Sequence, residues 1–334
     1  MKNFLLSNKE NAIDLDHKIK FGNFFFHSNF KPIFQKNNNK KIIFFGDLYG
    51  EIKNKKVIKI SVLKAIQKIS ISKNYYELID TLDGRFTFFV EENNKITIHT
   101  DKFSRYDLFY SHVNKNYLIG NNFHIIYQSV EAPKINQLAI SHMINVLGTK
   151  PAKKDTIFSQ IKRLGVNESF LVKNKIDIVM KKFIAERTEE YKYEKIEEYY
   201  QIFENYLSNM PKGKKTIFMS SGYDSSFLAS ISSKVFGKKN VSGVTLMQKF
   251  SERSKIYNKF EVDRVKKIGK YLDIKIHFGE INLDQNFHKY AETFSDISPK
   301  RMTPMTLAAI MHHELSKITN KKSSGDQLLS GEVS

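Results

Sequence analysis

The chain has 334 residues, 41% hydrophobic and 27% charged, which is enough for about two ordinary globular domains and leaves no apolar run long enough to span a membrane. Cysteine is absent, so disulfides, zinc-thiolate sites and every cysteine nucleophile are excluded. The formal charge is +19, yet only seven of the 54 basic residues are Arg, and they are scattered singly. Base and phosphate recognition favours the guanidinium fork, and stretches such as Lys36-Asn37-Asn38-Asn39-Lys40-Lys41 read as solvated surface. No dedicated nucleic-acid surface is expected.

The N-terminus, Met1 to Glu10, holds only the short apolar run Phe4-Leu5-Leu6, far short of a secretory signal core, so a cytoplasmic protein is expected. The first half reads as β-rich. Ile42 to Phe45 form a strand ahead of Gly46-Asp47-Leu48-Tyr49-Gly50. Phe86, Phe88 and Val90 alternate with Arg85, Thr87 and Phe89, turn at Asn93-Asn94, and return through Ile96, Ile98 and Thr100 as a hairpin. Leu108-Phe109-Tyr110 with Tyr117-Leu118-Ile119 make a second hairpin, and Ser169–Val172 with Ile176–Val179 a third.

Near residue 193 the period changes. Ile196, Tyr200, Phe203 and Leu207 fall on one helical stripe ended by Pro211-Lys212-Gly213, which divides the chain into domains 1–190 and 191–334. Strand and helix signals then alternate: Thr216–Met219, helix Ser225–Val235, strand Val241–Met247, helix Glu261–Leu272, strand Ile274–Phe278, helix Thr303–Ile318 and a last strand Gln327–Leu329. Repeated βα units predict a parallel sheet with helices on both faces, whose ligands bind at the C-terminal ends of its strands.

At such an end lies Met219-Ser220-Ser221-Gly222-Tyr223-Asp224-Ser225-Ser226. Small residues between a strand and a helix leave N–H groups and hydroxyls uncovered at a positive helix end, which suits phosphate. Gly222 allows close approach of an anion. Asp224 would repel a bare phosphate, so a divalent cation bridging carboxylate and phosphate is expected there. A polar turn with an N-cap is the plain alternative. Walker A and GxGxxG patterns are both absent from the sequence.

This run resembles the Ser-Gly-Gly-x-Asp-Ser-Ser pyrophosphate loop of the N-type ATP pyrophosphatases, specifically of asparagine synthetase, with Ser221 in place of the first Gly. Further segments are similar in the same order. Val244-Thr245-Leu246-Met247 falls where that family holds adenine through backbone groups. Glu261 opens a helix closing on Gly269-Lys270-Tyr271-Leu272, Asp296-Ile297-Ser298-Pro299 resembles an Asp-x-x-Pro segment, and Leu329-Ser330-Gly331-Glu332-Val333-Ser334 resembles Leu-Ser-Gly-Glu-Gly-Ser-Asp-Glu. In the first half, Leu82–Phe88 is similar to the Leu-Asp-Gly-x-Phe-Ala-Phe segment of the family's glutaminase domain. Asp101–Tyr110 and Ile161–Leu164 match later stretches of that domain.

The resemblance implies α/β plus α+β architecture: an N-terminal Ntn-hydrolase-like αββα sandwich and a C-terminal parallel-sheet adenine nucleotide alpha hydrolase-like (PP-loop) domain. It implies ATP and Mg2+ as cofactors, with nucleotide contacts from Ser220, Ser221, Gly222, Tyr223, Asp224, Ser225, Ser226, Leu246, Ser330 and Gly331. Asp224 would be the metal ligand and Glu332 a catalytic carboxylate beside the reacting centre.

The departures are specific. A working glutaminase of this type exposes Cys after Met removal; this chain has Lys2 there, and Phe45-Gly46-Asp47 replaces the Asn-Gly-Glu that holds glutamine. Domain 1–190 is therefore expected to be catalytically dead, as in relatives that form β-lactams or lasso peptides with a substrate's own amine. His312-His313-Glu314 does not suggest a metal site, because adjacent helical histidines point about 100° apart. His277 is expected to pack, and Ser225 and Ser226 lack a nucleophile elbow.

The activity implied is an ATP-dependent amide-forming ligase that adenylates a small-molecule or peptide carboxylate and passes it to ammonia or an amine, with no membrane partner and a homodimer left open. An RNA-modifying PP-loop ATPase and a non-catalytic relic are the alternatives. Because the sequence ends before the Asp-Glu pair of the family loop, a fragment of a longer protein is also expected.

Overall fold

The structure is a computed structural model describing residues 2–37, 39–54, 56–113, 116–147, 154–173, 175–180, 192–251, 253–301, 306–323 and 327–331. The chain divides into two compact units, Met1–Glu189 with Ile297–Thr303, and Glu190–Asp296 with Pro304–Ser334. Among the described residues no helix is long and apolar enough to cross a membrane.

In the first unit the elements run β1 (Phe4–Ser7), β2 (His17–Phe21), β3 (Phe24–Ser28), β4 (Ile33–Asn37), β5 (Lys40–Lys53), β6 (Lys56–Ile58), α1 (Val62–Ile71), α2 (Tyr75–Asp80), β7 (Leu82–Glu92), β8 (Lys95–Thr100), β9 (Phe109–Val113), β10 (Asn116–Gly120), α3 (Phe123–Gln128), α4 (Gln137–His142), β11 (Ile161–Arg163), β12 (Glu168–Val172) and β13 (Ile176–Met180). Two antiparallel sheets result, ordered β11-β9-β10-β1-β3-β2 and β13-β12-β8-β7-β5-β4, with β6 pairing β5.

The period-2 alternation decides which side chains meet. Ile43, Phe45 and Phe89 face Phe4, Leu6 and Phe26 of the other sheet in a core between the sheets, where Phe4 packs edge-on against Phe45 and Phe89 at 5.0 and 5.2 Å between ring centroids. The opposite face of β5 and β7 (Ile42, Phe44, Phe86, Phe88, Val90) packs against Ala65, Ile66 and Ile69 of α1 and Tyr75 and Ile79 of α2. Leu5, Phe109 and Leu118 meet Phe123 and Ile126 of α3 on the outer face of the first sheet. The unit is thus layered helix, sheet, sheet, helix.

The second unit contains α5 (Tyr193–Ser208), β14 (Lys215–Phe218), α6 (Tyr223–Phe236), β15 (Val241–Lys249), α7 (Lys259–Leu272), β16 (Lys275–Asn282), α8 (Leu283–Arg301) up to Asp296, α9 (Leu307–Ile318) and β17 (Gln327–Ser330). The four strands form one parallel sheet ordered β16-β15-β14-β17. Ile217, Met219, Val241 and Ile274 pack with Ala229 of α6 and Val265 of α7. Val244, Leu246 and Ile281 pack with Tyr290 and Phe294 of α8 and Ile310 and Leu315 of α9. The two central strands, β14 and β15, are buried on both faces, whereas the edge strands β16 and β17 are only partly buried.

Three expectations change in detail. Of the α5 stripe only Leu207 is fully buried; Ile196 is 42% exposed, while Tyr200 and Phe203 pack on Phe227 of α6. The helix expected from Thr303 begins at Leu307, where Thr306 Oγ1 accepts the Ala309 N–H at 3.1 Å, and Thr303 lies outside the described residues. Asp296-Ile297-Ser298-Pro299 lies within α8, a helix not expected above although Leu283, Phe287, Tyr290, Phe294 and Ile297 recur at helical spacing.

Candidate functional site

β14 ends at Phe218 and the chain turns through Ser220 to Gly222 into α6. The turn is braced from inside. Ser225 is 4% exposed; its Oγ accepts the Ser220 N–H at 3.2 Å and lies 3.0 Å from both the Ser220 carbonyl and Ser220 Oγ. Ser220 Oγ accepts the Gly222 N–H at 3.2 Å, and Ser226 Oγ donates to the Gly222 carbonyl at 2.8 Å. The hydroxyls of Ser225 and Ser226 therefore shape the loop rather than stand free for a ligand. What the loop offers outward is backbone: the first-turn N–H groups of α6 have no acceptor within the helix and sit at its positive end.

The loop lines a cavity of about 570 Å³ at the C-terminal edge of the sheet, within the size range of small-molecule sites. Ser220, Gly222, Asp224 and Ser225 form one wall, and Ser330 and Gly331, following β17, close it. A Cβ on Gly331 would stand 3.1 Å from the Ser225 nitrogen and from the Asp224 Cβ, so glycine lets this strand end approach the helix without crowding that N–H. Thr245, Leu246 and Gln248 of β15 make the floor. Ala308, Met311, His312 and Leu315, spaced i, i+3, i+4 and i+7 on α9, make the facing wall.

Asn258 holds the floor in place. It is 9% exposed; its Oδ1 accepts the Gln248 N–H at 2.9 Å and its Nδ2 donates to the Leu246 carbonyl at 2.8 Å. Beyond Val244, whose carbonyl accepts the Met219 N–H, β15 outruns β14, and this amide replaces the missing strand. Glu261 also lines the cavity.

Of the residues expected from sequence, Ser220, Gly222, Asp224, Ser225, Leu246, Ser330 and Gly331 border this cavity. Ser221 and Ser226 lie beside it without lining it, and the Tyr223 side chain is 94% exposed. Glu332 lies outside the described residues. Asn258, Gln248, Met311 and His312 were not anticipated as site residues. The α9 spacing carries a signal for the last two, but nothing near Asn258 in sequence announces that it serves a strand ten residues earlier. His312 stacks parallel to Phe218 with ring centroids 6.1 Å apart. Among the described residues, no group of three or more His, Asp or Glu side chains could form a protein-only metal cage.

The first unit presents a contrasting arrangement at Phe45-Gly46-Asp47. The Phe45 ring is 4% exposed and lies between Phe30 and Tyr106, at 5.4 and 4.8 Å, and the Arg85 guanidinium covers Tyr106 at 4.1 Å. Burial, reinforced by Asp47, raises the Tyr49 phenol above its ordinary value; the nearby guanidiniums of Arg105 and Arg85 oppose it.

No protein-family model matches the chain, and no curated protein matches it significantly. Among solved structures, the NH3-dependent NAD synthetase from Campylobacter jejuni subsp. jejuni NCTC 11168, in complex with the nitrate ion, is similar at 15% identity and a TM-score of 0.27. The match covers 40% of this chain and 55% of that one. A likeness this distant carries no weight for activity. The chain is a mixed α/β protein with a parallel sheet and a cavity at that sheet's C-terminal edge.

Proposed function

We propose that the protein is an ATP-dependent amide-forming ligase of the asparagine synthetase type without its own glutaminase activity. The observation that carries this reading is that three segments far apart in sequence, represented by Ser220, Gly222, Asp224 and Ser225, by Leu246, and by Ser330-Gly331, border one cavity at the strand ends where parallel sheets bind ligands.

In this reading ATP lies with its base against Leu246 and the apolar side of α9, and its phosphates at the first turn of α6. The wall has no Lys or Arg among its described residues. Charge on the phosphates is therefore met by the helix N-terminus and by Mg2+, which Asp224 would hold; the exposed Asp224 carboxylate suits that duty. A single protein carboxylate leaves the remaining coordination to phosphate and water oxygens, as is usual for this ion. A substrate carboxylate oxygen attacks the α-phosphorus, pyrophosphate leaves, and ammonia or an amine then attacks the acyl carbon and releases AMP. The chain contributes positioning, the Ser225 and neighbouring N–H groups toward the leaving phosphates, and Glu332 as acceptor of the amine proton. Domain 1–190 serves in this reading as an Ntn-like scaffold whose glutamine pocket is filled by Phe45.

The test is calorimetry of ATP with Mg2+ on the wild type and on Asp224→Ala, together with pyrophosphate release from panels of carboxylates and amines. The expected outcome is Mg2+-dependent binding by the wild type that falls at least tenfold in the variant, with unchanged circular dichroism. Equal affinity in two folded proteins would remove the site.

A further inference from the structure

The opposite end of the same sheet carries the reverse electrostatics. The residues leading into β14, β15 and β16 line an open groove of about 700 Å³, and five of them are lysines: Lys214, Lys238, Lys239, Lys270 and Lys275. Asp273 is the only acid among the described lining residues. The C-terminal cavity, in a chain with 54 basic residues, has no Lys or Arg on its described wall. A composition that merely scattered lysine over the surface would not empty one end of a sheet and load the other.

A structural role would account for lysines here, because helix C-termini point this way and cations cap their carbonyls. Those carbonyls are already served. Asp273, in the left-handed conformation at φ 55°, donates its N–H to the Gly269 and Lys270 carbonyls, and Ile274 donates to Gly269 at 3.0 Å. At the end of α6, Asn240 Nδ2 donates to the Phe236 carbonyl at 2.8 Å. Lys238 meets Asp273 at 3.5 Å between side chains more than half exposed, a contact that holds neither firmly.

The helix ends weaken the positive field, so a single small anion gains little, whereas a chain of phosphates meets several ammonium groups at once. The groove has lysines and no Arg, which suits backbone contact rather than reading of base edges. We infer that this groove binds the phosphodiester backbone of nucleic acid without sequence preference, through its ammonium groups. The inference is independent of the ligase reading, since the groove and the cavity share no lining residue.

The experiment is fluorescence anisotropy of a labelled oligouridine of about twenty nucleotides on the full chain, across a salt series. Binding should weaken with salt by about 0.7 log unit per log unit for each phosphate neutralised. K239E/K270E/K275E should lose at least tenfold in affinity and flatten the salt slope. The charge-matched control K56E/K59E/K64E, on exposed positions of the first unit, should change affinity less than twofold. The inference is overturned if the control weakens binding as much as the groove variant, if the groove variant binds like wild type, or if polyglutamate of equal charge competes as well as unlabelled oligouridine.

Discussion

Gly46 and Gly222 sit where the sequence resemblance would put two ligand sites, and their surroundings are opposite. At Gly46, with φ +114°, an added Cβ would strike the Arg85 carbonyl and stand 2.8 Å from the Phe86 Cα and 2.9 Å from Tyr106. At Gly222 it would meet only Ser220 Oγ at 3.2 Å. The first glycine is needed because the space is full, and the second leaves space open. A glycine in a motif is therefore no sign of a ligand; the neighbours brought by the fold decide between close packing and close approach.

The sharpest way to break this contrast is a matched pair. Gly46→Ala should cost roughly 2–4 kcal/mol through strain and collision, whereas Gly222→Ala should cost about 1 kcal/mol or less while weakening ATP binding. Urea unfolding of both variants measures the difference, and equal costs would end the distinction. The next effect should come from Asn258→Ala, which strands the Leu246 carbonyl and the Gln248 N–H at the edge of β15. A loss of roughly 2 kcal/mol is expected, with lower nucleotide affinity because the cavity floor loosens; thermal melts with and without ATP report both. An unshifted melt would show that another group, or water, takes over those bonds.

The smallest effect belongs to the filled unit. Burial alone would raise the Glu51 carboxyl, but Lys68 at 2.7 Å and Lys53 at 3.6 Å outweigh it and hold the group below its ordinary 4.5. A depressed carboxyl contributes stability that is complete above its unfolded value and is lost as pH falls through the folded one. Glu51→Gln should thus cost roughly 1 kcal/mol at pH 7, with wild type and variant converging in acid. A gap that widened below pH 4 would mean the sign is wrong.

Much of the secondary structure was legible because each signal is local. Alternation over residues 86–100 around Asn93-Asn94 gives the β7–β8 hairpin, and the βα rhythm after residue 193 gives the parallel sheet. One strand was mute for a physical reason. β1 reads Phe4-Leu5-Leu6 without alternation because both of its faces are buried, Phe4 and Leu6 toward one core and Leu5 toward another. α8, by contrast, carries a signal: Leu283, Phe287, Tyr290, Phe294 and Ile297 recur at i, i+4, i+7, i+11 and i+14, and Tyr290 and Phe294 are buried.

The sequence by itself determined the strand-loop-helix at Ser220, the order of the sheet's repeating units and the absence of any thiol, since these follow from residue type and spacing. Tertiary structure alone decided that Ser225 braces the loop instead of facing a ligand, that Asn258 completes a strand it is not part of, and that lysines from four separate segments share one groove. Hydrogen-bond partners and electrostatic fields depend on distances through space, and residues as far apart in the chain as Lys214 and Lys275 become neighbours only when parallel strands start at the same edge.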